Sequence, residues 1–197
     1  MTGGKLVALV VLMAICIVVV FLVIGRSTTG SAAAGAVSQG VVKGQHYEDA
    51  ALGYAFEYPA QWVKADEPRF GADVSFLGPR RADLTMGLDV RSEVTPTSLD
   101  VYVDRSIMKV LPDLMTNFKV LENKPLTVNG VQAIKVVYSY RQGQFDLTSV
   151  EVVYALGDRK VILTFCLLSE YYDEFKAAAD GTVQSFQRLG AEKTQGT

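Results

Sequence analysis

The chain contains few residues of the types that perform acid–base or nucleophilic chemistry. Its single histidine is His46 and its two cysteines are Cys16 and Cys166. A Ser-His-Asp or Cys-His mechanism needs a histidine held within hydrogen-bond reach of its nucleophile. His46 directly follows a stretch rich in Gly, Ala and Ser, which is unsuited to holding a base. One histidine and one cysteine in the domain also argue against a zinc site, and no GxGxxG or Walker A motif occurs. We therefore expect no catalytic residue, no metal and no cofactor.

The two cysteines differ in their surroundings. Cys16 lies within an apolar N-terminal segment, and Cys166 lies in the apolar run of residues 161–168. A disulfide between such positions is not expected. We interpret Cys166 as a small buried hydrophobe instead of a reactive thiol.

Three pairs of neighbouring acids are the remaining chemical candidates: Glu48-Asp49, Asp66-Glu67 and Asp173-Glu174. None has the spacing of a calcium-binding loop, and adjacent acids on a strand or helix point in different directions. We interpret them as solvated surface. The alternative is that the fold brings carboxylates together for catalysis or for small-ligand binding at a membrane surface.

The pair Tyr171-Tyr172 is the one candidate contact site for a partner protein. One ring of such a pair can enter the core while the other stays outside, and exposed tyrosines are frequent interface anchors. We expect Tyr171 to be the outer ring.

Alternating apolar residues indicate that strands dominate the domain. Tyr54, Phe56 and Tyr58 alternate with smaller or polar residues and stop at Pro59, which predicts a short strand. Trp62 is expected to cover the core. Turn chemistry predicts a four-strand meander over residues 126–167, with turns at Asn129-Gly130, Gln142-Gly143-Gln144 and Gly157-Asp158.

The alternation also assigns faces to the two central strands of the meander. It matches Ile134, Val136, Tyr138 and Tyr140 with Val150, Val152, Tyr154 and Leu156 on one apolar face. The opposite faces then carry polar residues: Lys135, Ser139, Arg141, Ser149 and Glu151.

Two helices are predicted. Thr97 and Asp100 can form a capping box that starts a helix of about thirteen residues, which Pro112 should end. Ser169 should cap a final helix that lies across the apolar face, since apolar residues recur there at helical spacing: Tyr172, Phe175, Ala179, Val183 and Phe186.

The order of these motifs resembles the PsbP-like superfamily. The resemblance rests on the run from Leu52 to Pro59 with Trp62, the hairpin Val128-Asn129-Gly130, and the closing segment from Val183 to Phe186. It covers about residues 46–189. It implies an α+β domain in which helices sandwich an antiparallel sheet, a binding and assembly role, and no shared catalytic residue. The lipobox typical of many bacterial relatives is missing here.

A nineteen-residue apolar segment from Leu6 to Ile24 contains no charged residue, Gly or Pro. As a helix it would measure roughly 28 Å, which matches the hydrocarbon core of a bilayer. Lys5 precedes the span and Arg26 follows it, and together with the N-terminal amino group this favours a cytoplasmic N-terminus. We interpret residues 1–25 as a retained transmembrane signal anchor. The alternative is a secreted protein cleaved near Ala34 or Ala36.

The rest of the chain divides into a Gly-, Ala-, Ser- and Thr-rich tether at 26–45, the domain at 46–189 and a short tail at 190–197. Residues 46–197 contain 16 Lys and Arg against 21 Asp and Glu. An acidic domain without basic clusters argues against nucleic-acid binding. The sequence therefore predicts a single-pass, extracytoplasmic binding or assembly module without catalysis, whose partner is a membrane or envelope protein.

Overall fold

The computed structural model describes residues 44–190. The predicted transmembrane anchor, nearly all of the predicted tether, and the tail beyond Gly190 lie outside the described residues. Between residues 44 and 190, no helix combines the length and the apolar character needed to cross a membrane.

The described chain forms two antiparallel sheets. The smaller sheet consists of β1 (Gln45–Asp49), β2 (Tyr54–Tyr58) and β10 (Gln187–Arg188), with β2 in the middle. The strands of the larger sheet are β3 (Val63–Lys64), β4 (Val74–Arg81), β5 (Leu84–Val94), β6 (Thr116–Val128), β7 (Val131–Gln142), β8 (Phe145–Leu156) and β9 (Arg159–Leu168). Their order in the sheet is β3-β4-β5-β9-β8-β7-β6. The predicted strand at Tyr54 and the predicted meander are both confirmed.

The register between β7 and β8 corrects the predicted faces. Gln142 pairs with Phe145, so the turn has two residues and not the three that were expected. Because a shift of one residue turns every side chain to the other face, Val136 lies opposite Glu151 and Tyr138 opposite Ser149. The residues Ile134, Val136, Tyr138 and Tyr140 therefore do not share a face with Val150, Val152, Tyr154 and Leu156.

The first helical segment is irregular. Helix α1 (Leu99–Val103) continues as a π-helical stretch (Asp104–Lys109) and then as the short helix α2 (Leu111–Leu114). Ser98 is the N-cap residue and makes no side-chain capping bond, so the predicted capping box does not form. Pro112 lies in the first turn of α2 and does not end the helix, which agrees with the tolerance of proline where backbone amides lack helical partners.

Helix α3 (Tyr172–Ser185) lies on one face of the larger sheet. Tyr154 Oη donates to the Val183 carbonyl at 2.9 Å, and Lys135 Nζ donates to Asp180 at 2.7 Å. We call this the α3 face. The predicted final helix is confirmed, but Ser169 does not cap it, since the N-cap residue is Tyr171 and makes no side-chain capping bond. The helix covers the face that carries Val152 and not the face that carries Val136.

Helix α1 lies on the opposite face of the sheet. Tyr102 Oη donates to Glu93 at 2.8 Å. Glu93 lies on β5 and alternates with the β5 residues that belong to the α3 face, so its side chain is on the opposite face of the sheet. We call this second surface the α1 face. Helices thus lie on both sides of an antiparallel sheet, which confirms the predicted α+β class for the described domain.

Aromatic side chains fill the core on the α3 face. The Tyr154 and Phe186 rings stack at 3.7 Å between centroids, and Tyr54 stacks on Phe186 at 5.8 Å. Trp62 is 2% exposed and packs against Phe165, which confirms its role as a core residue. Such contacts contribute about 0.5–1.5 kcal/mol per pair beyond the area that they bury.

Candidate functional site

The sequence-predicted candidates lie at the surface and do not form a cluster. Tyr171 ends a 3-10 turn (Ser169–Tyr171), where the Arg81 guanidinium lies 5.9 Å from its ring centroid. Tyr171 and Tyr172 are both partly exposed and both pack against the core. The expected division into one core ring and one outer ring is therefore wrong. The predicted contact between Tyr171 and a partner protein stays a prediction.

The paired acids are on the surface, as expected. Glu48, Asp66, Glu67, Asp173 and Glu174 are exposed, and Asp49 is partly exposed. His46 is exposed on β1, with its Nε2 atom 3.6 Å from Glu48. Among residues 44–190, no three His, Cys, Asp or Glu side chains are grouped so that they could hold a metal ion.

A pocket lies on the α1 face, between the sheet and the loop that joins β3 to β4. The loop forms its roof with Arg69, Phe70 and Ala72. Four neighbouring strands form its floor, to which they contribute Asp89, Arg91, Tyr140, Ser149, Thr164 and Cys166. The pocket has a volume of about 40 Å³, far below the roughly 300–1,000 Å³ of typical small-molecule sites.

An ion pair anchors the roof to the floor. Both Nε and Nη2 of Arg69 contact Asp89 Oδ1, at 3.3 and 3.2 Å, and Nη2 lies 3.1 Å from Oδ2. Ser75 Oγ donates to Asp89 Oδ1 at 2.6 Å and accepts from the Arg69 amide at 2.8 Å. Gly87 permits this arrangement, because a Cβ at position 87 would overlap the Arg69 guanidinium.

The carboxyl group of Asp89 is largely withdrawn from water. Burial raises its pKa, while the charge of Arg69 and the hydrogen bonds from Ser75 and Arg69 act in the opposite direction. The net effect is a raised pKa of Asp89. Asp89 therefore depends on Arg69 to carry its charge inside the domain.

The roof has an unusual backbone conformation. Phe70 has φ 54° and Gly71 has φ 73°, and the Arg69 guanidinium lies 5.3 Å from the Phe70 ring centroid. A bulky residue at positive φ costs about 1–3 kcal/mol, and such residues cluster at ligand clamps and active sites. The Arg69–Asp89 pair holds this loop on the sheet.

Cys166 lies at the edge of the pocket, beside Tyr140. The Sγ atom and Tyr140 Oη are 3.6 Å apart. Burial raises the pKa of both groups. Since the thiolate is the nucleophilic form, a raised pKa makes Cys166 a poor nucleophile, in agreement with its interpretation as a packing residue. It is, however, partly exposed and not fully buried.

Sequence reasoning missed the residues of this pocket. The signal was present in β5, where Leu84, Met86, Leu88 and Val90 alternate with a second, polar set: Thr85, Gly87, Asp89 and Arg91. An acid inside such an apolar strand indicates a polar feature on the sheet face. Its partner Arg69 lies twenty positions away in an irregular loop, and no periodic pattern points to it.

The pocket lining offers no free carboxylate for acid–base chemistry. The lining contains a single carboxylate, and that group is already paired with Arg69 and Ser75. A general acid–base mechanism needs a group that is free to exchange protons with a substrate. The alternative that the fold brings carboxylates together is not met by the residues that line this pocket.

Comparisons with known proteins place the domain among structures of one fold. No protein-family model and no curated protein matches the sequence. The cyanobacterial PsbP (CyanoP) of Synechocystis is 18% identical, with a TM-score of 0.56, 79% of this chain covered and 98% of that one. LpqN of Mycobacterium tuberculosis, involved in cell envelope biogenesis, is 10% identical, with a TM-score of 0.58, 69% of this chain covered and 83% of that one.

A third structure, a protein of unknown function from Pseudomonas aeruginosa, is 14% identical with a TM-score of 0.52. It covers 73% of this chain, and the match spans 96% of its own length. At such identities the similarity demonstrates the fold alone. The fold that the motifs predicted is confirmed.

Proposed function

We propose that this chain, whose described domain has a PsbP-like fold, is a membrane-tethered, extracytoplasmic binding and assembly module without catalysis of its own. The observation that carries the proposal is the pairing inside the pocket. Its one lining carboxylate, Asp89, is engaged by Arg69 and Ser75. This polar site is thus built to hold a shape and not to transfer protons.

The N-terminal sequence supports the membrane part of the proposal. The apolar segment from Leu6 to Ile24 is long enough to span a bilayer. About twenty Gly-, Ala-, Ser- and Thr-rich residues follow it, with a typical reach of roughly 25 Å. A domain on such a tether works close to the membrane surface.

The partner that we propose is a membrane or envelope protein. LpqN, which shares the fold, is involved in cell envelope biogenesis, and an anchored module with an acidic domain suits the same environment. On this domain, Tyr171 with Arg81 above its ring offers an aromatic and cationic contact of the kind that anchors interfaces.

Photo-crosslinking in native membranes tests this proposal. Benzoylphenylalanine replaces Tyr171 in one full-length variant and Val94 in another. Val94 is 61% exposed and pairs with Arg159, at the start of β9; Tyr171 follows the end of that ten-residue strand. The two sites are therefore separated by the strand's length, roughly 33 Å. We expect one discrete adduct from position 171 and none from position 94. Equal, diffuse adducts from both sites would contradict the proposal.

A small-ligand carrier is the alternative function, and the pocket volume of about 40 Å³ argues against it, because such a space holds little more than water. A carrier or enzyme that uses carboxylates brought together by the fold lacks support, since only Asp89 contributes an acid to the pocket lining.

A secreted form of the protein is the alternative to the anchored form. N-terminal sequencing of the mature protein separates them, because cleavage would leave a new N-terminus near Ala34 or Ala36.

A further inference from the structure

We infer that the partner protein presents a carboxylate, from an aspartate or glutamate side chain, to the guanidinium group of Arg81 at the ring of Tyr171. The tip of the hairpin between β4 and β5, Ala82 and Asp83, belongs to the same contact surface. The inference rests on the proposed function, because it names the chemistry of the partner that the proposal requires.

Two segments that are far apart in the chain meet at this surface. Strand β4 ends where Arg81 pairs with Leu84, the first residue of β5. Strand β9 pairs with β5 and ends at Leu168, and the 3-10 turn that contains Tyr171 follows directly. Because β5 and β9 are antiparallel, the start of β5 and the end of β9 lie at the same end of the sheet. The Arg81 guanidinium thus lies 5.9 Å from the Tyr171 ring centroid.

Tyr171 is a fixed platform for such a contact. Its ring packs against the core and stays partly exposed. The hydroxyl groups of Ser169 and Thr148 lie 2.9 Å apart and join the 3-10 turn to β8. A ring held in this way loses little conformational freedom when a partner binds, which is the property that makes rigid aromatic residues good interface anchors.

The guanidinium group of Arg81 is oriented by contacts within the domain. Its Nη1 donates to the Arg80 carbonyl at 3.2 Å, and its distance from the Tyr171 ring is within the usual range of a cation–π contact. An arginine carries five N–H donors in a planar fork that matches the two oxygens of a carboxylate. A group oriented in advance loses less freedom when it binds a carboxylate, so the contact is more favourable.

Arg81 differs from two other arginines at this end of the sheet because it has no acidic partner. Arg80 pairs with Asp83 at 3.3 Å, and Arg141 pairs with Asp146 at 2.8 Å. No ion pair joins Arg81 to a carboxylate within residues 44–190. A carboxylate from the partner is the group that complements this charge, and a charge-assisted hydrogen bond to arginine is among the stronger polar contacts.

The turn beside Arg81 adopts a backbone conformation that its residues disfavour. Ala82 has φ 45° and Asp83 has φ 66°, as in a type I′ turn, for which Asn-Gly is typical. Alanine has no polar side chain that could stabilise positive φ, and backbone strain of this kind clusters at binding sites. The turn is exposed and brings Asp83 to Arg80, so Arg81 is the cation of the hairpin that remains for a partner.

Photo-crosslinking from position 170 tests the inference in native membranes. Glu170 is exposed beside Tyr171, and benzoylphenylalanine at this position leaves the Arg81–Tyr171 contact intact. The full-length chain carries it together with native Arg81, Arg81→Gln or Arg81→Glu. We expect the adduct yield to fall at least fivefold in Arg81→Gln and further in Arg81→Glu, because like charges repel. Raising the salt concentration from about 0.05 to 0.5 M should lower the yield of the native chain more than that of Arg81→Gln.

Arg141→Gln is the matched control, because it removes the same charge at the same end of the sheet from an arginine that is already paired with Asp146. Its adduct yield should stay within twofold of the native yield, and the midpoint of urea unfolding should be the same in Arg81→Gln as in the native chain. An adduct from Arg81→Gln that equals the native one, or equal losses in Arg81→Gln and Arg141→Gln, would overturn the inference and leave the proposed function standing. The absence of any adduct from the native chain would overturn both.

Discussion

The buried ion pair of Arg69 and Asp89 determines the electrostatics of the pocket. Replacing Arg69 with Met keeps most of the apolar stem and removes the charge, which leaves Asp89 buried without its cation. We expect Arg69→Met to lower the free energy of unfolding by about 3 kcal/mol at neutral pH. The loss should be smaller near pH 4, because a protonated Asp89 needs no cation. Urea unfolding at both pH values measures this.

The exposed pair of Arg141 and Asp146 is the matched control. It has two hydrogen bonds of 2.8 Å each, so its geometry is at least as good. Both side chains are about half exposed or more, and water screens such pairs strongly. Arg141→Met should therefore change stability little. A similar loss in the two variants would show that burial is not the deciding factor.

The carboxyl of Glu151 makes the stability of the domain depend on pH. Burial raises its pKa, against the opposing effects of Arg91 and the hydrogen bond from Tyr138. Because the folded pKa lies above the unfolded one, Glu151 binds its proton more tightly in the folded state. Its contribution to stability is greatest at low pH and is lost as the pH rises through the folded pKa.

Glu151→Gln tests this sign, because the amide can still accept the Tyr138 hydrogen bond and cannot ionise. We expect the variant to gain stability relative to the native chain as the pH rises from about 4.5 to 8. Chemical denaturation across that range provides the measurement. A difference that stays constant with pH, or that moves against the variant, would refute the assignment.

At the scale of elements, the hairpin between β6 and β7 is tied to the end of helix α3. Asn129 has φ 48°, and its Nδ2 donates to the carbonyls of Gln184 and Phe186 at 3.2 and 2.9 Å. Asn129→Gly keeps the backbone conformation and removes both bonds. We expect a loss of about 1–2 kcal/mol in the free energy of unfolding.

The same substitution at Asn117 is the control. Asn117 also has positive φ, at 56°, but it is exposed on the edge strand β6. Asn117→Gly should cost little, since glycine readily adopts this conformation. If both substitutions lowered the free energy of unfolding equally, the hydrogen bonds from Asn129 would not be what stabilises the contact between the hairpin and the end of helix α3.

The sequence predicts an element well when residues close together in the chain determine it, and poorly when the determining residues are far apart. Asn129-Gly130 and the strand from Tyr54 are set by turn chemistry and alternation within a few residues, and both were predictable. The faces of β7 and β8 depended on one residue of turn length at Gly143, which the sequence left ambiguous. The Arg69–Asp89 pair depended on an irregular loop, so no periodic signal could reveal it.

At the scale of the whole molecule, the described domain provides the evidence on the fold, and the N-terminal segment provides the evidence on where the protein is proposed to work. The domain presents a PsbP-like fold with a small pocket whose lining acid is paired. The segment from Leu6 to Ile24 is the basis for proposing where that fold works. The acidic balance of residues 46–197 argues against nucleic acid as a partner. Together these features are those expected of a module that binds at a membrane.

Purification of the native complex is the most direct test of that central proposal. The full-length chain, expressed at its natural level, is extracted from membranes with mild detergent, and its mass and composition are measured by native mass spectrometry. We expect it to be recovered from the membrane fraction in a fixed ratio with one membrane or envelope protein. Recovery of the chain as a lone monomer, or in the soluble fraction without its N-terminal segment, would contradict the proposal.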